Sequence, residues 1–401
     1  VSRNLRKGAA VQVPTPPARA TDISRPMSAM AEAVVDLDAI AHNARTFVER
    51  TGSGVMAIVK ANGFGHGATQ AARAALAGGA SWLGVSSPAE ALALRADGVT
   101  APILIWLYPP GETFEKLLLA GIDVSVASVA ALDAVAEAAR ATLHVANVHL
   151  KLDTGMSRGG ALVDDWPRVF ERAAELHRAG AVHVRGIWSH LAGAEEPELN
   201  GLAEQLVSFD QARAQAAQAG LDPEIVHVAN SAAALRVPHS RFDLQRIGIG
   251  LYGVEPVPGA THGLRPAMTV RAQVLLTKRV PAGTGVGYGL DYVTSKETTL
   301  ALVPLGFADG VPRQAAGVAE FLVNGVRRPV AGRVAMDQVV LDVGDLPVRA
   351  GDVAVMFGPG DHGEPTVHDW ARWAGTNTND ILTGIGARVP RRYESQHGSE
   401  Q

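Results

Sequence analysis

The stretch Val55-Met56-Ala57-Ile58-Val59-Lys60-Ala61-Asn62-Gly63-Phe64-Gly65-His66-Gly67 runs from unbroken apolar residues to a single cation and then into a loop with three glycines. Alternating residues would suit a strand with one wet face, whereas a continuous apolar run suits a strand covered on both faces, as in a parallel sheet. Seven more runs of this kind follow, at 82–86, 103–106, 124–127, 148–153, 184–190, 225–229 and 244–250. Alanine-rich helical sequence, such as 71–77 and 203–219, lies between them. Eight such strands in roughly 200 residues predict an α/β fold, a closed (β/α)8 TIM barrel rather than an open doubly wound sheet.

After about His262 the texture changes. β-branched residues crowd 269–280 and 301–303, glycine and proline become frequent, and Asn324-Gly325 between two short apolar runs reads as a hairpin turn. The expected organisation is a flexible tail at 1–28, the barrel at 29–262 and a second, mostly β C-terminal domain at 263–401. Composition limits the chemistry further. The 401 residues are 47% hydrophobic and 19% charged, with a formal net charge of -4, which gives no overall reason to bind nucleic acid. The absence of cysteine removes disulfides, thiolate metal sites and cysteine nucleophiles together. No run of 18 apolar residues is present, so no membrane span is predicted, and no metal site is expected. A cytoplasmic location fits best.

In a barrel the reactive groups stand at the C-terminal ends of strands. Lys60 ends the first run and reads either as a surface lysine or as a desolvated amine able to form a Schiff base with an aldehyde cofactor. His190 ends the sixth run and fits a hydrogen-bonded core residue as well as a catalytic one, while Lys151 and Asp153 on the fifth fit an ordinary ion pair. Asn230-Ser231 opens a helix after the seventh run with a capping hydroxyl, and Arg246-Ile247-Gly248-Ile249-Gly250 brings glycines that let backbone approach an anion. Phosphate sites recur after strands seven and eight of such barrels, so a Schiff-base lysine together with this cradle points to pyridoxal phosphate.

The segments 59–67, 149–158, 227–235, 246–253, 287–289, 306–310 and 332–338 (GRVAMDQ) closely resemble motifs of the alanine racemase family, over a span from about residue 30 to Tyr393. The resemblance implies a fold-type III pyridoxal 5'-phosphate enzyme that racemises a small amino acid, most simply L-alanine to D-alanine for peptidoglycan. It also implies a homodimer whose active sites are shared between subunits. Lys60 would hold the cofactor and act as one proton-transfer base, with Tyr288 from the other subunit as the opposite base. Two bases are needed because the α-proton leaves one face of a planar intermediate and returns to the other. By the same resemblance Arg246 faces the pyridine nitrogen, with His190 behind it. Arg158 contacts the phenolic oxygen and the substrate, and Lys151 is the lysine often carbamylated to position that arginine. Ser231, Gly248 and Ile249 bind phosphate. Met336 and Asp337 contact the substrate carboxylate, and Arg313 and Arg333 line its entry.

The sequence departs from the family at three tyrosines, which are Phe64, Phe307 (in GFADG) and Asn379 here. Phe64 and Asn379 stand where a phenol otherwise bonds the phosphate, so weaker cofactor binding is expected. Asn379 also opens polar space beside the substrate side chain, which makes serine or another small polar amino acid an alternative substrate. A further alternative is a cofactor-binding homologue with weak racemase activity, although retention of Tyr288 argues for catalysis.

Overall fold

The computed structural model describes residues 27–196 and 201–395. Most of the expected tail therefore lies outside the described residues; at its end, the carbonyls of Met27 and Ala29 accept from Gln273 Nε2. The strands of the first part are β1 (Ala31–Asp36), β2 (Gly54–Ile58), β3 (Trp82–Val85), β4 (Ile103–Ile105), β5 (Ile122–Val126), β6 (Ala146–Lys151), β7 (Val182–Trp188), β8 (Ile225–His227) and β9 (Leu244–Ile247). Strands β2 to β9 form one parallel sheet in the order β8-β7-β6-β5-β4-β3-β2-β9. Its two ends meet where Arg246 N–H donates to Ala229 O at 3.0 Å and Asp243 N–H to Val226 O at 3.1 Å, so the eight runs read from sequence make a nearly closed barrel.

Continuous apolar runs were the signal because both faces are covered: every residue of β3, β4 and β5 is buried. The outer helices follow from their caps and stripes. The helix Leu37–Thr51 starts at Asp36, whose side chain accepts from Ala39 N–H, and stops at Gly52 in the left-handed region. It buries Ala39, Ile40, Asn43, Ala44 and Phe47, a helical stripe. Phe47 presses on Gly250, where a Cβ would come within 2.6 Å of its ring. Packing therefore accounts for that glycine, which the sequence reading had assigned to anion approach.

The second domain holds a six-stranded sheet in the order Val326–Pro329, Glu320–Val323, Val353–Phe357, Met268–Gln273, β1, Arg391–Glu394. A three-stranded sheet, Leu276–Val280, Thr298–Val303 and Val339–Gly344, packs with it around Val270, Phe321, Phe357 and Trp370. The hairpin turn at Asn324-Gly325 is present with both residues at positive φ. One difference from the sequence reading concerns β1. Placed with the barrel on sequence order, it lies antiparallel to Met268–Gln273 and parallel to Arg391–Glu394. Local pattern marks a buried strand but carries no information about which distant strand completes its hydrogen bonds.

Candidate active site

Lys60 leaves β2 and opens a left-handed turn, with φ of 52° at Ala61, 54° at Asn62, 62° at Gly63 and 51° at Phe64. Each non-glycine residue there costs roughly 1–2 kcal/mol, so the turn needs outside support. Ala61 N–H donates to Glu90 Oε1 at 2.6 Å, Gly63 N–H to Val59 O at 2.8 Å, and Asn62 Oδ1 accepts from Ala68 N–H at 3.0 Å. Below the turn, His66 stacks on Tyr252 at 4.4 Å, and the Tyr252 hydroxyl donates to Ile58 O. Gly65 is dictated by the second domain, since a Cβ there would sit 2.4 Å from Leu382 O.

A cavity of about 250 Å³ opens at this mouth. Lys60, Arg158, His190, Ser231, Arg246, Gly248, Ile249 and Asn379, all named from sequence, line it together with Lys151, Phe64, Trp106 and Trp188. Burial and the Arg158 charge lower the pKa of the Lys60 amine, with Glu90 opposing them. Lys151 is pushed down to about 8, by burial first and then by Arg246 and Arg158. Its amine lies 4.7 Å over the Trp188 ring. Asp153 is not its ion-pair partner, because Asp153 Oδ1 accepts instead from Gly155, Met156 and Ser157 N–H. Nor does Ser231 cap its helix. Asn230 does so, accepting from Ala233 N–H, and Ser231 Oγ is left to accept from Gly248 and Gly250 N–H.

Arg246 is the most enclosed cation of the site. It donates to Ser189 O, His227 O and Val228 O at 2.7–3.0 Å and lies against His227 Nδ1 and His190 Nδ1 at 3.1 and 3.2 Å. Burial and Arg246 push His190 down to about 2, so its imidazole is neutral. Tyr288, Met336 and Asp337 stand elsewhere, on the second domain. Tyr288 is 72% exposed and Met336 55% exposed. Asp337 pairs with Arg388 at 2.7 Å, and Arg388 also reaches Asp309. Met336 O accepts from Ala308 N–H and Ala335 O from Phe307 N–H, which joins the GFADG and GRVAMDQ loops. Arg313 lies over the Phe307 ring and Arg333 pairs with Asp291.

Residues 35–256 match the family model for the alanine racemase N-terminal domain, and residues 267–393 that for the C-terminal domain. The chain belongs to the alanine racemase family. It is 52% identical to an alanine racemase of Thermobifida fusca over 92% of this chain and 99% of the relative, and 49% identical to one of Streptomyces coelicolor over 91% and 96%. The crystal structure of alanine racemase from D-cycloserine-producing Streptomyces lavendulae superposes with a TM-score of 0.91 at 47% identity, covering 92% of this chain and 98% of that one. The Bacillus anthracis alanine racemase with bound L-Ala-P gives 0.85 at 32% identity, covering 93% and 97%.

Members of this family depend on pyridoxal phosphate, and the cavity suits that group. Among the described residues four basic side chains, Lys60, Lys151, Arg158 and Arg246, line it with one carboxylate, Glu195. That excess of positive charge favours an anionic ligand. Some contributors were not read from the sequence: Glu90, the indoles of Trp106 and Trp188, and the buried pair His149 and His227. Glu90 does carry a local signal, since Ser87 and Glu90 form a capping box, but its reach to Ala61 joins residues 29 apart.

Proposed function

We propose that the chain is a pyridoxal 5'-phosphate-dependent alanine racemase, interconverting L- and D-alanine by two bases on opposite faces of the substrate. The observation that carries this reading is the meeting of Lys60, the Ser231–Gly248 cradle and Arg246 in one cavity. The cofactor, when bound, withdraws electrons from the substrate α-carbon and so acidifies its proton. Lys60, its amine pKa lowered by burial and by Arg158, would hold the cofactor and move a proton at the α-carbon. Arg246, an obligate hydrogen-bond donor that stays protonated, would face the ring nitrogen and leave it unprotonated, which would limit electron withdrawal and keep the proton near the α-carbon. His190, neutral, supports that arginine, and Ser231, Gly248 and Ile249 take the phosphate.

Arg158 meets the phenolic oxygen and the substrate. Lys151, with its lowered pKa, is open to carbamylation that would orient Arg158. Tyr288 serves the cavity of a second copy as the opposite base, with Met336 and Asp337 at the substrate carboxylate. The exposure of Tyr288 and Met336, together with Leu290 at 60%, supports a homodimer joined through this face. We also assign the enzyme to the cytoplasm as a supplier of D-alanine for peptidoglycan; no described helix is long and apolar enough to cross a membrane. Asn379 lines the cavity, but the relatives are named for alanine and no contact in the site favours serine.

The test is incubation of purified protein with L-alanine in deuterated water, followed by chiral analysis of the product and its α-deuterium. Lys60→Ala is expected to lose the visible cofactor absorbance and all activity. Tyr288→Phe is expected to keep the absorbance and to slow α-proton exchange of one enantiomer far more than of the other. Equal, undiminished exchange of both would remove Tyr288 from the mechanism.

A further inference from the structure

Among the described residues the hydrogen-bond partners of Arg246 include carbonyl oxygens and imidazole nitrogens but no carboxylate. Its bonds lead away from the cavity into the barrel. Arg246 Nη1 meets His227 Nδ1 at 3.1 Å, His227 Nε2 meets His149 Nδ1 at 2.9 Å, and His149 Nε2 meets Asp123 Oδ2 at 3.2 Å. All four side chains belong to residues at most 4% exposed. Asp123 also accepts from Arg185 Nη1 on Oδ2 and from Asn147 Nδ2 on Oδ1, each at 3.3 Å. Asp123 and Asn147 stand early in their strands and Arg246 later in its own, so the run descends from the mouth toward the opposite end of the barrel.

Both ends of the run require the same direction. Arginine only donates, so His227 Nδ1 must accept and its proton must sit on Nε2. That proton points at His149 Nδ1, which must accept in turn, leaving the His149 proton on Nε2 and aimed at Asp123. A second proton on either imidazole would set donor against donor. Local construction agrees with a built path. The β6–β7 register slips between Val148 and His149, and a Cβ at Gly186 would lie 2.2 Å from His149 Nδ1, so a bulge and a glycine together make room for that ring. Trp188 stacks on His227 at 5.4 Å and 6°, and the edge of Trp82 meets His149 at 5.5 Å.

We infer that Asp123 is a positioning residue for Arg246, acting through His149 and His227 as a hydrogen-bond relay of single direction. The carboxylate supplies the negative end, the two neutral rings pass the polarity on, and His227 Nδ1 presents it to the guanidinium, fixing its orientation beside His190. Burial and Arg246 hold His227 well below its ordinary pKa, in keeping with a neutral ring. The inference depends on the racemase reading for its kinetic consequence and not for its hydrogen-bond direction.

The experiment is long-range proton–nitrogen NMR of histidine-labelled holoenzyme, with kinetics of two variants. Wild-type His149 and His227 should each carry one proton, on Nε2, with Nδ1 bare. A His227 found protonated on Nδ1, or on both nitrogens, overturns the relay without any variant. Asp123→Leu should leave the His149 Nε2 proton without its acceptor, shift that proton's resonance upfield, and lower kcat about tenfold or more while KM stays within about twofold. Asp123→Asn, whose amide oxygen still accepts while Asn147 turns its own amide, should restore the downfield position of the His149 Nε2 proton and most of kcat. A folded Asp123→Leu with the wild-type His149 Nε2 proton resonance and wild-type kcat overturns the inference. Should Asp123→Leu not fold, the wild-type and Asp123→Asn spectra decide. Tautomers as assigned in a protein that racemises no alanine would sink the proposed function and leave the relay standing.

Discussion

Ala61 donates to one oxygen of Glu90, and the other oxygen accepts from Ser86 N–H, Ser87 N–H and the Ser86 hydroxyl. One carboxylate thus pins the strained residue after Lys60 to the start of the helix Pro88–Ala96. Glu90→Ala should cost about 1–2 kcal/mol in urea unfolding and lower kcat as the turn relaxes, whereas Glu90→Gln, retaining an acceptor, should lose less of both. Gln245 presents the opposite case. It is fully buried, and neither amide atom has a partner among the described residues. Replacing both unpaired groups with apolar atoms of similar volume should stabilise, so Gln245→Leu is expected to raise the urea midpoint by the equivalent of about 1 kcal/mol.

The strands were the most legible elements, because burial on both faces writes itself as an uninterrupted apolar run and a barrel repeats that run eight times. Strand ends were legible too, since Lys60, Lys151 and His190 break the pattern where the chain leaves the sheet. Relations between elements were not. No local spacing shows that His149 turns into the barrel through a bulge, that Asn230 rather than Ser231 caps its helix, or that β1 belongs to the second domain. Gly186 illustrates the limit: in sequence it is one glycine inside a strand, and in three dimensions it is the slot for His149. Gly186→Ala should therefore destabilise by about 1–3 kcal/mol, through overpacking alone, as measured by the urea midpoint at constant slope.

Among the described residues burial lowers the pKa of His42 and, more strongly, of three further histidines. His66 is pushed down to about 4, His190 to about 2, and His227 well below the ordinary value near 6.5. The unfolded chain takes up protons that the folded one refuses, so this contribution to stability is complete above about pH 6.5 and is withdrawn as pH falls. Each histidine removes up to roughly 1.4 kcal/mol per pH unit until its folded pKa is reached. Urea midpoints are expected to drop steeply between pH 6.5 and 4, and a flat profile over that window would show these rings to be charged in the folded state.

Because β1 is sandwiched between a strand that begins at Met268 and one that ends at Glu394, its partners emerge from the ribosome long after it does. The barrel can close during synthesis while this early strand waits, both edges open, for the last segment of the chain. The same adjacency brings the two ends of the described chain onto neighbouring strands. Joining them with a crossover linker of about a dozen residues or more, as parallel neighbours require, and cutting an exposed barrel loop would give a circular permutant in which β1 is made directly after its parallel neighbour and the wait is abolished.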